Sequence, residues 1–197
     1  GLRQGLRIDI QYLAAEAFQA QGAALLGGVS GIIVPGGFGN RGVAGLLSIA
    51  SYAYHHKIPY FGICLGMQIA VIQFAREQAG LAQANSAEFD PDTQCAVIDL
   101  VQSWQDNEGI QRQGSDAELG GTMRLGRQLA TAVENTHLHR IYGQTTINER
   151  HRHRYELNQQ WLPALKEAGF VVSAVSSKDN LVDAIELPDH PWYIGVQ

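Results

Sequence analysis

The clearest alternation of apolar and polar positions runs through residues 57–79. Ile58 to Ile63 is a short apolar run containing Pro59, the pattern of a buried strand. From Met67 to Glu77, Ile69, Ala70, Ile72 and Phe74 recur at helical spacing with polar Gln68, Gln73 and Arg76 between them, predicting a helix over 67–79. Upstream the same pair of signals repeats. Gly31–Val34 reads as a strand, and Val43, Leu46, Leu47, Ile49 and Ala50 mark a helix over Val43–His56. Before them, Leu6–Leu13 alternates as a strand does, and Ala14–Ala20 predicts a short helix.

The second half changes character. Ala96–Val101 reads as a strand, and Gln102–Glu118 is polar without a period, as an exposed loop or hairpin is. Leu119–Gly126 is a glycine-bracketed, strand-like segment, and Leu138–Tyr142 predicts a short helix. Gln160–Ala168 predicts another helix, stopped by Gly169. Phe170–Val175, Leu181–Leu187 and Trp192–Gln197 read as three strands. Strand and helix in alternation point to an α/β fold, with a mostly parallel sheet flanked by helices and a smaller antiparallel addition. In such sheets ligands bind at the carboxyl ends of strands.

Composition narrows the class. At 197 residues, with 45% hydrophobic and 17% charged content, the chain reads as one globular domain. A net charge of −5 offers no footprint for nucleic acid, and no apolar run is long enough to span a membrane. Two cysteines in such different contexts do not make a disulfide framework, so a reducing, cytoplasmic location is expected.

The candidate chemistry lies where the strand of 58–63 meets its helix. Gly62-Ile-Cys-Leu-Gly66 is a G-x-C-x-G, the thiol version of a nucleophile elbow, in which glycines allow a turn tight enough to expose Cys64. A thiol at a helix N-terminus is expected to have a lowered pKa. Taken alone, the motif fits a buried structural cysteine equally well. The turn Pro35-Gly-Gly-Phe-Gly-Asn-Arg-Gly42 changes that balance, because backbone N–H groups beside a nucleophile are what an oxyanion hole requires. The turn is not a phosphate loop, since no Gly-Lys-Ser/Thr follows. His151 and His153 could share a strand face, yet no third ligand stands near them in sequence and no metal site is expected. Arg150, Arg152 and Arg154 have no wider basic patch around them.

The two glycine motifs resemble those of the class I (triad) glutamine amidotransferases, which have a flavodoxin-like fold. Asn85-Ser-Ala-Glu-Phe89, Gly120-Gly-Thr-Met-Arg-Leu-Gly126 and Arg150-His-Arg-His-Arg-Tyr-Glu156 narrow the likeness to the C-terminal glutaminase domains of the CTP synthases. The resemblance spans nearly the whole chain. It implies that Cys64 attacks the side-chain amide of L-glutamine, with the N–H groups of Gly37 and Leu65 holding the oxyanion. It further implies a glutamine site made of Gly37, Phe38, Leu65, Gly66, Met67, Gln68, Glu88, Arg154 and Tyr155. It implies no cofactor or metal in this domain, and ATP, Mg2+ and UTP in an N-terminal synthase domain, the expected partner, in an enzyme expected to be a homo-oligomer.

The triad also needs a His and a Glu. His190 lies in a turn before the last strand and is rejected. The resemblance puts the catalytic pair in a His-Pro-Glu run just beyond Gln197, and the family's first strand before Gly1. The chain is therefore expected to be a glutaminase domain cut at both ends. A stand-alone γ-glutamyl hydrolase of the same fold, or a non-catalytic regulatory module, remains open on sequence grounds.

Overall fold

The computed structural model describes residues 4–100, 103–105, 111–113 and 123–197. Its main sheet has seven strands in the order β1 (Ile32–Val34), β2 (Tyr60–Ile63), β12 (Tyr193–Val196), β11 (Val182–Glu186), β10 (Val171–Ser176), β7 (Arg124–Ala132) and β8 (Thr146–His153). The sheet is mixed. β1, β2 and β12 run parallel, and from β12 outward every pairing is antiparallel. A second sheet joins β3 (Asn85–Ser86), β4 (Ala96–Leu100) and β9 (Tyr155–Leu157). β5 (Ser103–Gln105) and β6 (Gln111–Gln113) form a hairpin inside the polar stretch; most of 102–118, with Leu119–Thr122, lies outside the described residues.

Helices α1 (Ala15–Gln21), α2 (Val43–His55) and α3 (Leu65–Glu77) pack on one another, while α4 (His137–Tyr142) and α5 (Leu162–Glu167) are single short elements. α3 is the centre of the larger core. Every residue from Leu65 to Ala75 is buried, so even its polar positions face protein. Tyr60 and Tyr193, neighbours across β2 and β12, stack at 4.3 Å and 10°. Each sends its hydroxyl to a helix: Tyr60 donates to Gly66 O at 2.8 Å and Tyr193 to Ala50 O at 3.3 Å. The parallel strands are thus tied to the starts and flanks of α2 and α3.

Most elements lie within a residue or two of their expected bounds, with four differences. Residues 6–13 are not a strand, because no strand among the described residues lies alongside to form a ladder. Leu6, Ile8, Ile10 and Tyr12 are all exposed, Tyr12 at 94%. α3 begins at Leu65, directly after Cys64, rather than at Met67. The helix expected over 160–168 is a 3-10 turn, Gln159–Trp161, followed by α5, with the Asn158 side chain capping Gln160 N at 3.2 Å. Finally, β7 runs on through Gly126 to Ala132, so that glycine interrupts the apolar pattern and not the strand.

Phe74 lies between the rings of Tyr54 and Phe170, 6.4 and 5.5 Å from them, and is 2% exposed. Phe74→Ala should cost about 3–5 kcal/mol, read as a lowered urea midpoint with an unchanged slope.

Candidate active site

The site begins with two positions that cannot carry a Cβ. A Cβ on Gly62 would stand 2.5 Å from the carbonyl of Gly66, and one on Gly66 would overlap the carbonyl of Val34. With both glycines in place, α3 starts immediately off β2 and presses on β1. The turn between them falls on Cys64, whose φ of 52 and ψ of −105 are strained for a residue with a side chain. Its N–H donates to Val196 O at 2.7 Å, so β12 holds the elbow from the other side. The thiol is thereby fixed at the carboxyl ends of three parallel strands.

Cys64 opens into a cavity of about 240 Å3. One wall is the glycine turn after β1, with Gly37 and Phe38; another is Glu88 from the turn after β3. The far side is Met123 and the β8–β9 segment: Arg152, His153, Arg154 and Tyr155. Glu88 Oε1 accepts from Gly39 N at 2.7 Å, which ties the acid to the glycine turn. Gln68, one turn into α3 and 3% exposed, donates from Nε2 to Tyr155 O at 3.0 Å and so ties the elbow helix to the far wall. Among the described residues no protein acceptor takes the N–H of Gly37. The backbone N–H of Leu65, first residue of α3, favours the ionised form of the Cys64 thiol. Backbone N–H groups are thus available near Cys64 both on the glycine turn and at the start of α3, as an oxyanion hole would require.

Seven of the nine residues expected around glutamine meet here: Gly37, Phe38, Gln68, Glu88, Arg154 and Tyr155 as walls, and Leu65 through its N–H. Gly66 and Met67 do not reach the cavity; their part is to seat the helix. The Gly66 carbonyl is bound by Tyr60, and Met67 is fully buried against Gly195. Met123 also lines the site, with Arg152 and His153 from the 150–156 run on which the family resemblance rests. Arg152 stands 5.8 Å from the Phe38 ring, a cation–π contact across the mouth.

The expected thiolate is corrected. Burial pushes the Cys64 thiol up, and the nearby carboxylates of Glu88 and Glu156 add to it. The Leu65 N–H pulls the other way and is outweighed. At Cys64 the pull of the helix start, carried by the Leu65 N–H, is smaller than the opposing effect of burial and of the two acids. Cys64 therefore rests as a thiol and needs a base. His190 is not placed to be one: its ring is buried, with Nε2 3.1 Å from Ala53 O and Nδ1 accepting from Trp192 N at 3.1 Å.

The family model of glutamine amidotransferase class-I matches residues 3–197. The chain belongs to the class I glutamine amidotransferases. It is similar to the glutaminase domain of Trypanosoma brucei CTPS with bound acivicin, at 35% identity and a TM-score of 0.85, over 100% of this chain and 74% of that one. A glutamine amidotransferase from Methylobacillus flagellatus matches at 15% identity and a TM-score of 0.50, over 85% of this chain and 50% of its own, a likeness of fold alone. Among the described residues of this family member, no helix is long and apolar enough to cross a membrane.

Two glycines of this site should respond differently to the same change. Gly66→Ala forces a methyl group onto the Val34 carbonyl and should destabilise by about 1–3 kcal/mol. In Gly36→Ala the new Cβ meets that of Cys64 at an ordinary 3.5 Å, and stability should stay within about 0.5 kcal/mol. Denaturant unfolding of the two variants checks the contrast.

Proposed function

We propose that this domain is the glutaminase half of a CTP synthase, releasing ammonia from glutamine for an ATP-dependent amination of UTP elsewhere in the longer enzyme. The observation that carries the reading is Cys64 on a strained elbow, facing a cavity lined by the Glu88 carboxylate and by Arg152 and Arg154. Glutamine carries an α-ammonium, an α-carboxylate and a terminal amide. Glu88 pairs with the ammonium and Arg154 with the carboxylate, which leaves the amide at Cys64.

The chemistry follows in two halves. The Cys64 thiol loses its proton to a base, and Sγ attacks the amide carbon. The carbonyl oxygen takes the electron pair and is held by the N–H groups of Gly37 and Leu65. Collapse breaks the C–N bond, the nitrogen takes a proton, and ammonia leaves a γ-glutamyl thioester. Water then attacks the thioester and returns glutamate and the free thiol. The base and its carboxylate partner belong, on this reading, to residues that follow Gln197 in the family's longer chains. β12 supports that placement, because Val196 pairs with Ile63 in register and its carbonyl binds Cys64 N. The next residues of such a chain run past the elbow.

Acivicin, the compound bound to the Trypanosoma brucei domain, should label Cys64 and spare Cys95, which is buried elsewhere in the core. Peptide mass spectrometry reads the site. Labelling at Cys95, or labelling that persists in Cys64→Ala, would sink the assignment.

Gly37→Pro removes one oxyanion donor. In the enzyme carrying its synthase domain, glutamine-dependent CTP formation should fall by roughly 100- to 1000-fold, while formation from added ammonia survives. Loss of both activities together would count against the role of Gly37.

A further inference from the structure

Behind His153, which lines the Cys64 cavity, lies a buried charged cluster that the glutaminase reading leaves unused. Arg124, at the start of β7, donates from Nη1 to Asp183 Oδ1 at 2.7 Å and to Glu156 Oε1 at 3.1 Å. His153 Nδ1 stands 3.3 Å from the same Glu156 oxygen, and its Nε2 is 2.9 Å from His151 Nδ1. All five side chains are buried, Glu156 at 3% exposure and His153 at 2%. One cation faces two carboxylates, so with both imidazoles neutral the cluster carries one negative charge in excess. Glu156 Oε2 and His153 Nδ1 have no hydrogen-bond partner among the described residues. A buried cluster with an excess charge and unpaired polar atoms has room for one more proton.

The cluster is also wired to the nucleophile. Glu156 directly follows Arg154 and Tyr155, the far wall of the cavity. Tyr155 O accepts from Gln68 Nε2 at 3.0 Å, and Gln68 N donates to Cys64 O at 3.1 Å. We propose that Glu156 is a positioning residue for glutamine hydrolysis: anchored by Arg124, it fixes the Arg154–Tyr155 wall, and by holding or losing one proton it sets how readily Cys64 gives up its own. The inference rests on Cys64 being the nucleophile.

Burial pushes Glu156 up to about 8, against the pull of Arg124, and pushes His153 down to about 3. At neutral pH the extra proton therefore sits on the carboxyl. The other groups around Glu156 are Asp183 on β11, Asp179 in the turn before it, and Asp99, its register partner on β4. Asp183 and Asp179 favour the protonated form. Above pH 8 Glu156 ionises, and its charge adds to the burial that already holds the Cys64 proton in place.

The test is the rate of Cys64 alkylation by iodoacetamide as a function of pH, in this chain with Cys95→Ser, comparing the parent with Glu156→Gln. Below pH 8 Gln imitates the protonated acid and the two curves should coincide; above it Gln lacks the new charge, and the variant should react faster. The expected gain is roughly threefold, the change that a half-unit fall in a thiol pKa produces. Glu156→Asp, which restores a carboxylate, should return the curve toward the parent. A purely structural role would shift the curves by the same factor at every pH, and that outcome, or no difference at all, overturns the proposal. If the Gln variant does not fold, carbon-13 NMR of the glutamate-labelled parent decides: a carboxyl titrating near 8 is expected, and its absence overturns the idea. No glutamine enters either measurement, so the outcome is separate from acivicin labelling of Cys64.

Discussion

The rest of the site depends on the contact between Gly66 and the Val34 carbonyl. Because nothing but hydrogen projects from Gly66, α3 can start one residue after β2 and lie directly on β1. That forces the chain to reverse at Cys64, in a conformation that a free peptide would avoid. The strain is held by many small ties: Cys64 N to Val196 O, Tyr60 to Gly66 O, and the Tyr60–Tyr193 stack beneath. Once β1, β2 and β12 end together, the glycine turn after β1 and the elbow after β2 share one edge. Cys64 and the backbone N–H groups of Gly37 and Leu65 are then neighbours without any further device.

The same burial has an electrostatic cost. The cavity that holds Cys64 withdraws water from its thiol, and the acid Glu88, joined by Glu156 once that ionises, deepens the effect. The helix N-terminus does not overcome this. Its first N–H groups are better spent on an oxyanion, which bears a full charge, than on a resting thiol. An elbow cysteine of this kind is therefore not active by itself. On the proposed reading its reactivity depends on a base from outside the elbow, and β12, in register with β2, ends beside Cys64.

How much of this is legible in the sequence depends on how local each feature is. The elbow and the glycine turn are each read from a handful of consecutive residues, because their geometry is decided by glycines at fixed offsets. Leu6–Leu13 shows the limit: its alternation is genuine, but a strand needs a ladder partner, and a one-dimensional pattern does not supply one. The raised thiol pKa is not legible for a related reason. The helix end is visible in the sequence, whereas the burial and the carboxylates of Glu88 and Glu156 are visible only once the chain is folded. The buried cluster lies furthest from legibility, since Arg124 and Asp183 are 59 residues apart. One clue was present. An aspartate in the middle of the apolar run Leu181–Leu187 cannot stay buried without a cation, and that demand points to an arginine somewhere else in the chain.

The two halves of the sheet divide the work of the site. The parallel strands carry the elements that any amide-cleaving cysteine needs: the elbow, the donors and the route of β12. The antiparallel strands bring Met123, Arg152, His153 and, through β9, Arg154 and Tyr155, the side chains of the cavity's far wall. The ends of β7 and β8 nearest the cavity are also where Arg124 and His153 pair in register, so the substrate wall and the charged cluster are built from the same residues' backbone. A wall made this way cannot be altered independently of the cluster behind it. Changes in Arg124, Glu156 or Asp183 should act on glutamine through the wall they hold, even though none of the three lines the cavity.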